Sequence, residues 1–360
     1  MHATPDSSRI ATVAIDLAKD VFELAFADAQ GQLVERRRLT RTAFVKTFDN
    51  TPPRRIVMEA CGTAHYWARR FQRDGHTVKL LPAHAVRPYV RGNKTDRTDA
   101  AGLLEAERCG TIRPVPVKTP EQQGIQGLHR VREFHKAQRT AAINLIRGLL
   151  REFGIVIPLG STKVRAAVLA SLEDGDYELP MPMPLRQTLH ALLETIACAE
   201  REMAQIEDRL QTFATTDVRS QRLQRVGGIG LLTATALSAS VGEVDRFSSG
   251  RHFASYLGLT PREHSSGKLR RLGRVTKRGD VYLRTLLIHG ARAVLRSAAL
   301  ARKKQQPLDR TRQWALALAE RVGHNKAAVA LANETARRLW AAEHHRMSFD
   351  PDHLSAWPIH

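Results

Sequence analysis

The hydrophobic pattern of this chain changes its period across TIRPVPVKTP, residues 111–120, and that change limits the fold more than any other feature. Before it, short apolar runs alternate with amphipathic stretches. After it, long segments rich in Ala, Leu, Arg, Glu and Gln carry apolar residues at three- and four-residue steps. Three prolines in this segment are incompatible with a helix interior or a central strand, so it is predicted to be a linker.

Val13–Ile15 and Val21–Phe26 read as two strands joined by a turn around Leu17–Asp20. GQLVERRRL, RRIVMEA and HTVKLLPA add a third, fourth and fifth strand. Helical patterns are expected at 41–50, Thr63–Asp74 and Asp96–Cys109. Strands followed by alternating helix and strand predict an α/β layered domain over 1–115. Residues 121–152 and 185–222 predict two long helices. On the second, Leu189, Leu192, Leu193, Ile196, Met203, Ile206 and Leu210 approach a heptad repeat, which predicts an antiparallel coiled-coil arm over 116–221. The glycines and prolines of 154–184 would make its bend. A third unit is expected over 222–345: a glycine-rich turn, an apolar helix, a short helix at Phe253–Leu257, a basic stretch, and helices at 281–303 and 308–343. Residues 346–360 read as a tail. The fold class is therefore α/β plus all-α.

Lys and Arg number 56 against 36 Asp and Glu, a formal charge of +20. A folded chain this basic is expected to meet a polyanion, and arginine forks suit phosphate. Cys61, Cys109 and Cys198 are odd in number and widely spaced, which argues against disulfides and a zinc site and fits a reducing cytoplasm. No signal-peptide pattern opens the chain, and no apolar run approaches the ~18 residues a membrane span needs. The expected partner is nucleic acid, with no membrane.

Three constellations could carry chemistry. Asp16 and Glu59 end predicted strands, and Asp96 and Asp99 share one face at a predicted helix start. Strand ends of an α/β sheet gather on one edge, so the four could converge. Clustered carboxylates repel unless a cation is bound, and two Mg²⁺ ions held this way can clamp the attacking and leaving oxygens of a phosphodiester. Taken singly, Asp96 or Asp99 could simply cap a helix. The second constellation is the basic stretch, with Arg262, Lys268, Arg270, Arg271, Arg274, Lys277, Arg278 and Arg284 against two acids. It contains Ser265 and Ser266, either of which could be a nucleophile, although Ser-Gly pairs more often mark turns. The third is RVGGIGLLTA, where Gly228 and Gly230 suit either a backbone-to-phosphate turn or tight helix packing. The histidines at 84, 129, 264 and 289 lack metal-ligand spacing.

AIDLAKD, MEACGTAHYWAR and GNKTDRTDA resemble the N-terminal blocks of the DEDD transposases of bacterial insertion sequences, the insertion sequence family one-ten with the Piv-type invertases. VGGIGLLTATAL, FASYLGLTPREHSSGK and LGRVTKRGDVYLRTLLIHGA resemble that family's C-terminal block. The resemblance covers roughly 10–110 and 222–296. It implies a RuvC-like, RNase H-type N-terminal fold with Asp16, Glu59, Asp96 and Asp99 as a Mg²⁺-binding tetrad. It also implies a C-terminal serine that links covalently to DNA. Ser266 is favoured over Ser265 because it adjoins Gly267, although many members carry two glycines where this chain has Gly267 and Lys268. A structured noncoding guide RNA pairing with donor and target double-stranded DNA is implied as well. A homo-oligomer, dimer or tetramer, is expected, since recombination joins two duplexes. The alternative is a RuvC-like metal-dependent nuclease that hydrolyses with water and has no serine intermediate. A non-enzymatic DNA-binding protein would be indifferent to replacement of Asp16.

Overall fold

The computed structural model describes residues 10–90, 96–173, 181–267, 269–347, 349, 350 and 352, and two compact units emerge, Met1–Pro120 and Glu121–His360.

The first unit is built on a five-stranded mixed sheet. Its strands are β1 (Thr12–Asp16), β2 (Val21–Ala27), β3 (Leu33–Thr40), β4 (Arg55–Glu59) and β5 (Thr77–Leu81), in the order β3-β2-β1-β4-β5. The first three pair antiparallel; β1–β4 and β4–β5 are parallel. This is a mixed α/β architecture consistent with an RNase H-like domain. Helices α1 (Arg41–Thr47) and α2 (Ala64–Arg73) cover one face, while α3 (Ala83–Val86) and α4 (Asp96–Arg108) cover the other. The residues alternate accordingly. Val13, Ile15, Phe22, Leu24, Phe26, Ile56 and Met58 point to α1 and α2. There Phe44 stacks on Phe22 at 4.2 Å and meets Trp67 edge-on at 4.8 Å. Ala14, Ala25, Ala27 and Val57 lie under Ala100, Leu103, Leu104 and Ala106 of α4. Three alanines on that face leave room for the helix to lie close to the sheet.

The proline segment is not a free linker. Val115 N–H donates to Leu80 O at 2.7 Å, so the segment bridges the outer edge of β5. Arg69 Nη1 donates to Lys118 O at 2.7 Å, and Val115 and Val117 pack on the core. Alternating prolines fix an extended backbone, and an unpaired edge strand offers that backbone a partner.

The second unit is helical: α5 (Pro120–Arg151), α6 (Val164–Glu173), α7 (Met183–Thr216), α8 (Val218–Gln224), α9 (Leu231–Val241), α10 (Gly250–Tyr256), α11 (Val281–Lys303), α12 (Arg310–Val322) and α13 (His324–His344). A small hairpin of β6 (Pro261–Glu263) and β7 (Leu272–Val275) interrupts it. The long helices α5 and α7 run antiparallel. Arg132 meets Glu207 at 2.6 Å and, seven residues on, Arg139 meets Glu200 at 3.5 Å. At the far end Ile143, Ile146 and Leu150 share a core with Leu189, Leu193 and Ile196. The stretch expected to be only a bend holds α6, whose Val164, Val168 and Leu172 fill that same core; an apolar helical stripe outweighed the flanking prolines. The start of the expected tail is also anchored, with Arg338 over the Phe349 ring at 4.3 Å and Arg310 N–H donating to Asp352 Oδ1 at 3.0 Å. Among the described residues no helix is long and apolar enough to cross a membrane.

His129 fastens α5 to the C-terminal helices. Thr235 Oγ1 donates to Leu231 O at 2.8 Å, so it accepts from His129 Nε2 at 3.0 Å. Nδ1 is then left to accept from Tyr282 Oη at 2.9 Å. Neutral imidazole satisfies this chain and imidazolium does not. Burial, reinforced by the Arg132 charge, lowers the His129 pKa to about 4. The unfolded chain therefore takes up a proton near pH 6.5 that the folded chain refuses until about 4. Stability is full above pH 6.5 and is lost as the pH falls towards 4. His129→Gln should flatten this dependence in thermal melts between pH 7 and 4.5; an unchanged slope would assign it to other groups.

Candidate nucleic-acid processing sites

Asp16 and Glu59 sit at the C-terminal ends of adjacent parallel strands, where the register pairs Ile15 with Met58 just before them. By alternation both belong to the α4 face. Glu23 of β2 is directly opposite Asp16, so an acidic row crosses three strands at one edge. Glu23 is countered by Arg38 at 3.4 Å. Sequence reasoning missed Glu23, because only the antiparallel register brings it level with Asp16.

Asp99 reaches the same level because α4 runs antiparallel to β1 and β4. Near its C-terminal end, Glu107 takes Lys79 Nζ at 2.6 Å and Arg55 Nη1 at 3.4 Å, and Arg55 begins β4. Asp99 lies eight residues upstream, about 12 Å along the helix, and Glu59 lies four residues along the strand from Arg55, about 13 Å. The two distances match, so Asp99 stands over the end that carries Glu59. The Asp96 side chain lies outside the described residues. Among the described residues no three His, Cys, Asp or Glu side chains are grouped so as to hold a metal ion. The chemistry of the row, hard carboxylate oxygens on an open edge, nonetheless suits an oxygen-preferring divalent cation.

The basic stretch is not a loop. It forms the β6–β7 hairpin, extended by a His264 N–H bond to Arg271 O at 2.9 Å and closed by reciprocal bonds between Ser266 and Leu269 at 3.2 and 3.1 Å. A two-residue turn of this kind needs a left-handed first residue, and Gly267 supplies φ +55°. Lys268 lies outside the described residues. Arg262, Arg270, Arg271, Arg274, Lys277 and Arg278 lie on or beside the hairpin, all of them exposed. Arg284 is a correction. It is buried, with Nη1 directed at Leu257 O at 3.5 Å, because it sits on the inward stripe of α11.

The two serines differ. Ser265 Oγ donates to Glu263 Oε1 at 2.7 Å and accepts Arg271 N–H at 3.1 Å. Arg270 Nε lies 3.7 Å from the same Glu263 oxygen. The Ser266 backbone is spent on closing the turn. Adjacency to Gly267 pointed to Ser266, yet Ser265 is the one with a carboxylate at its hydroxyl. One-residue alternation along the hairpin decides this, and it was not visible until the strands were paired.

Gly228 packs tightly on α11. A Cβ there would sit 3.1 Å from the Gly290 backbone, and a Cβ on Gly290 would sit 1.9 Å from Gly228 O. Gly230 precedes α9 with open space around it.

Two family models match this chain: a DEDD-type transposase model over residues 13–155 and the transposase IS116/IS110/IS902 family over 220–306. The chain is 44% identical over 334 residues to a probable family 20 transposase of Pseudomonas aeruginosa, covering 92% of this chain and 96% of that protein. It is 38% identical to the transposase for insertion sequence element IS1111A of Coxiella burnetii, covering 92% and 89%. A pilin gene-inverting protein of Moraxella bovis is 24% identical, covering 71% and 73%. The fold and these likenesses define a DNA transposase or recombinase, an enzyme that acts on DNA. More particularly, the chain belongs to the IS110 family of DEDD transposases. That membership implies dependence on a divalent metal ion.

Glu107 is the strut that sets Asp99 at its level. Glu107→Ala should lower stability by about 1.5–3 kcal/mol, the worth of charge-assisted hydrogen bonds, measured by urea unfolding; a change below about 0.5 kcal/mol would mark it as a solvated surface group.

Proposed function

We propose that this transposase cleaves and exchanges strands of donor and target DNA through a covalent serine–DNA intermediate. Asp16, Glu59, Asp96 and Asp99 hold Mg²⁺, which when bound would stabilise the charge that builds on phosphate oxygens. Ser265 is the nucleophile and Glu263 its base. The Oγ–H proton passes to Glu263, the Oγ–P bond forms, and the P–O bond to the deoxyribose breaks, the leaving oxygen taking a proton. The exposed Arg262, Arg270, Arg271 and Arg274 hold the phosphate and offset its charge. The contact that supports this reading most is the 2.7 Å hydrogen bond from Ser265 to Glu263, since a serine hydroxyl is a weak nucleophile without a base. A structured noncoding RNA chooses the sites by pairing. Two or four copies assemble through a coiled-coil arm of α5 and α7, whose outer face exposes Val131, Phe134 and Leu145.

Two measurements test the two halves. Full-length protein incubated with labelled DNA and Mg²⁺ should give a covalent adduct on a denaturing gel. Ser265→Ala should abolish it, Glu263→Gln should reduce it at least tenfold, and Ser266→Ala should retain it. The reverse serine pattern would move the role to Ser266; DNA ends released without adduct would favour the hydrolysing nuclease. Separately, Mg²⁺ at a hundredfold excess over its dissociation constant should stabilise the wild type by about 2.7 kcal/mol, and this should vanish in Asp16→Asn. Equal stabilisation of both would remove Asp16 from the metal site.

A further inference from the structure

A second basic feature lies outside the hairpin. The outer face of α11 and the start of α12 enclose an open groove of about 710 Å³, lined by His289, Arg292, Arg296, Lys304, Gln306 and Arg312 among others. Among the described residues no carboxylate lines it. Arg132 and Arg139 of α5 each face a glutamate of α7; this groove carries four permanent cations on its described walls, with the Asp309 carboxylate beside Arg312 just outside them. Two of the four are held in place. Arg292 Nη2 donates to Asn325 Oδ1 at 3.0 Å, and Arg312 Nε lies 3.3 Å from Asp309, which caps α12. Arg296 and Lys304 are exposed.

The spacing is regular. Arg292 and Arg296 are about one turn apart on α11 and Lys304 caps its C-terminal end, so the three descend the helix at multiples of about 6 Å. The row runs alongside apolar Leu300 and Ala301. A linear row of cations suits a linear polyanion better than a compact one. The helix starts directly after the hairpin, with Asp280 as its N-cap. Counting from Val281, His289 to Lys304 lie about 12 to 35 Å along the axis. That interval is within about one turn, 34–36 Å, of a DNA duplex.

We propose that this groove binds the phosphodiester backbone of duplex DNA flanking the segment engaged by the hairpin. The proposal rests on the reading of the hairpin as a DNA site, but its contacts are separate: phosphates only, and so without sequence preference, since phosphate contacts position a duplex and carry no sequence information. The groove anchors the duplex beyond the point of cleavage and so sets the angle at which it leaves the hairpin.

The test is the salt dependence of binding to DNA duplexes of two unrelated sequences, short and long, by the full-length chain. Removing one cation that neutralises a phosphate reduces the slope of log affinity against log salt by about 0.9. Arg296→Gln with Lys304→Gln should lower the slope by about 2 on long duplexes of either sequence and leave short duplexes, which end at the hairpin, unchanged. These two side chains are exposed, so the fold should survive; an unchanged melting curve checks it. Lys163→Gln with Arg165→Gln, exposed on the far tip at the start of α6, controls for net charge and should leave the slope as it is. An equal drop in both double variants, an unchanged slope in the groove variant, or a weakening confined to single- or double-stranded RNA would overturn the proposal. Arg270→Ala with Arg271→Ala distinguishes the two readings. If it leaves short-duplex binding intact while the groove variant weakens long-duplex binding, the hairpin reading fails and the groove stands.

Discussion

The parallel pairing of β1 with β4 is the constraint on which the first unit depends. It sets Asp16 and Glu59 side by side at one sheet edge, and the antiparallel return of β2 adds Glu23. Neighbouring carboxylates repel one another; Arg38 offsets the charge of Glu23, and hydrophobic packing below holds the edge in place. The aromatic cluster of Phe22, Phe44, Trp67 and Phe71 on one face and the alanine-lined seat of α4 on the other supply that packing. The Glu107 strut then fixes how far along the sheet α4 sits.

The second unit solves a different problem. A short, highly basic hairpin cannot form a core of its own, and its apolar Leu269 and Leu272 are left exposed. It is held from below by backbone contacts. The turn before β6 and the turn after β7 cross so closely that a Cβ on Gly279 would fall 1.9 Å from Tyr256 O. The hairpin thus projects from α10 and α11, whose packing on α13 is apolar. Of these helices α11 is tied to the long α5 by the His129 chain, which also takes in α9. The exposed cations are therefore carried on a stiff base, and the cost of ordering them is met in folding rather than on contact with a ligand.

Much of this was legible in the sequence. Alternation of apolar residues named all five strands of the sheet, and the three- and four-residue steps named both long helices, because those periods are local properties of the chain. What was misread depended on distant partners. The proline segment looks like a linker until β5 offers an unpaired edge. Arg284 looks like part of a basic run until α11 turns it inward. Gly228 suits a phosphate or a helix equally well by itself, and its close approach to Gly290, more than sixty residues on, is not visible in the sequence. The cations of the groove are dispersed over α11 and α12 and form no run in the sequence.

By itself the sequence determined the period of each element, the excess of positive charge, and the motifs that hold the residues proposed to carry the chemistry: Asp16, Glu59, Asp96, Asp99, Ser265 and Ser266. Residue types and spacings are sufficient for that, since helix faces and strand faces follow from local geometry. The tertiary structure decided which of them meet. Strand order made neighbours of Asp16 and Glu59, forty-three residues apart, and the antiparallel run of α4 brought Asp99 to the same end of the sheet. Hairpin register gave the carboxylate of Glu263 to Ser265 and the turn to Ser266. These are questions of pairing across space, and a one-residue shift in register would reverse each answer without altering a single local preference.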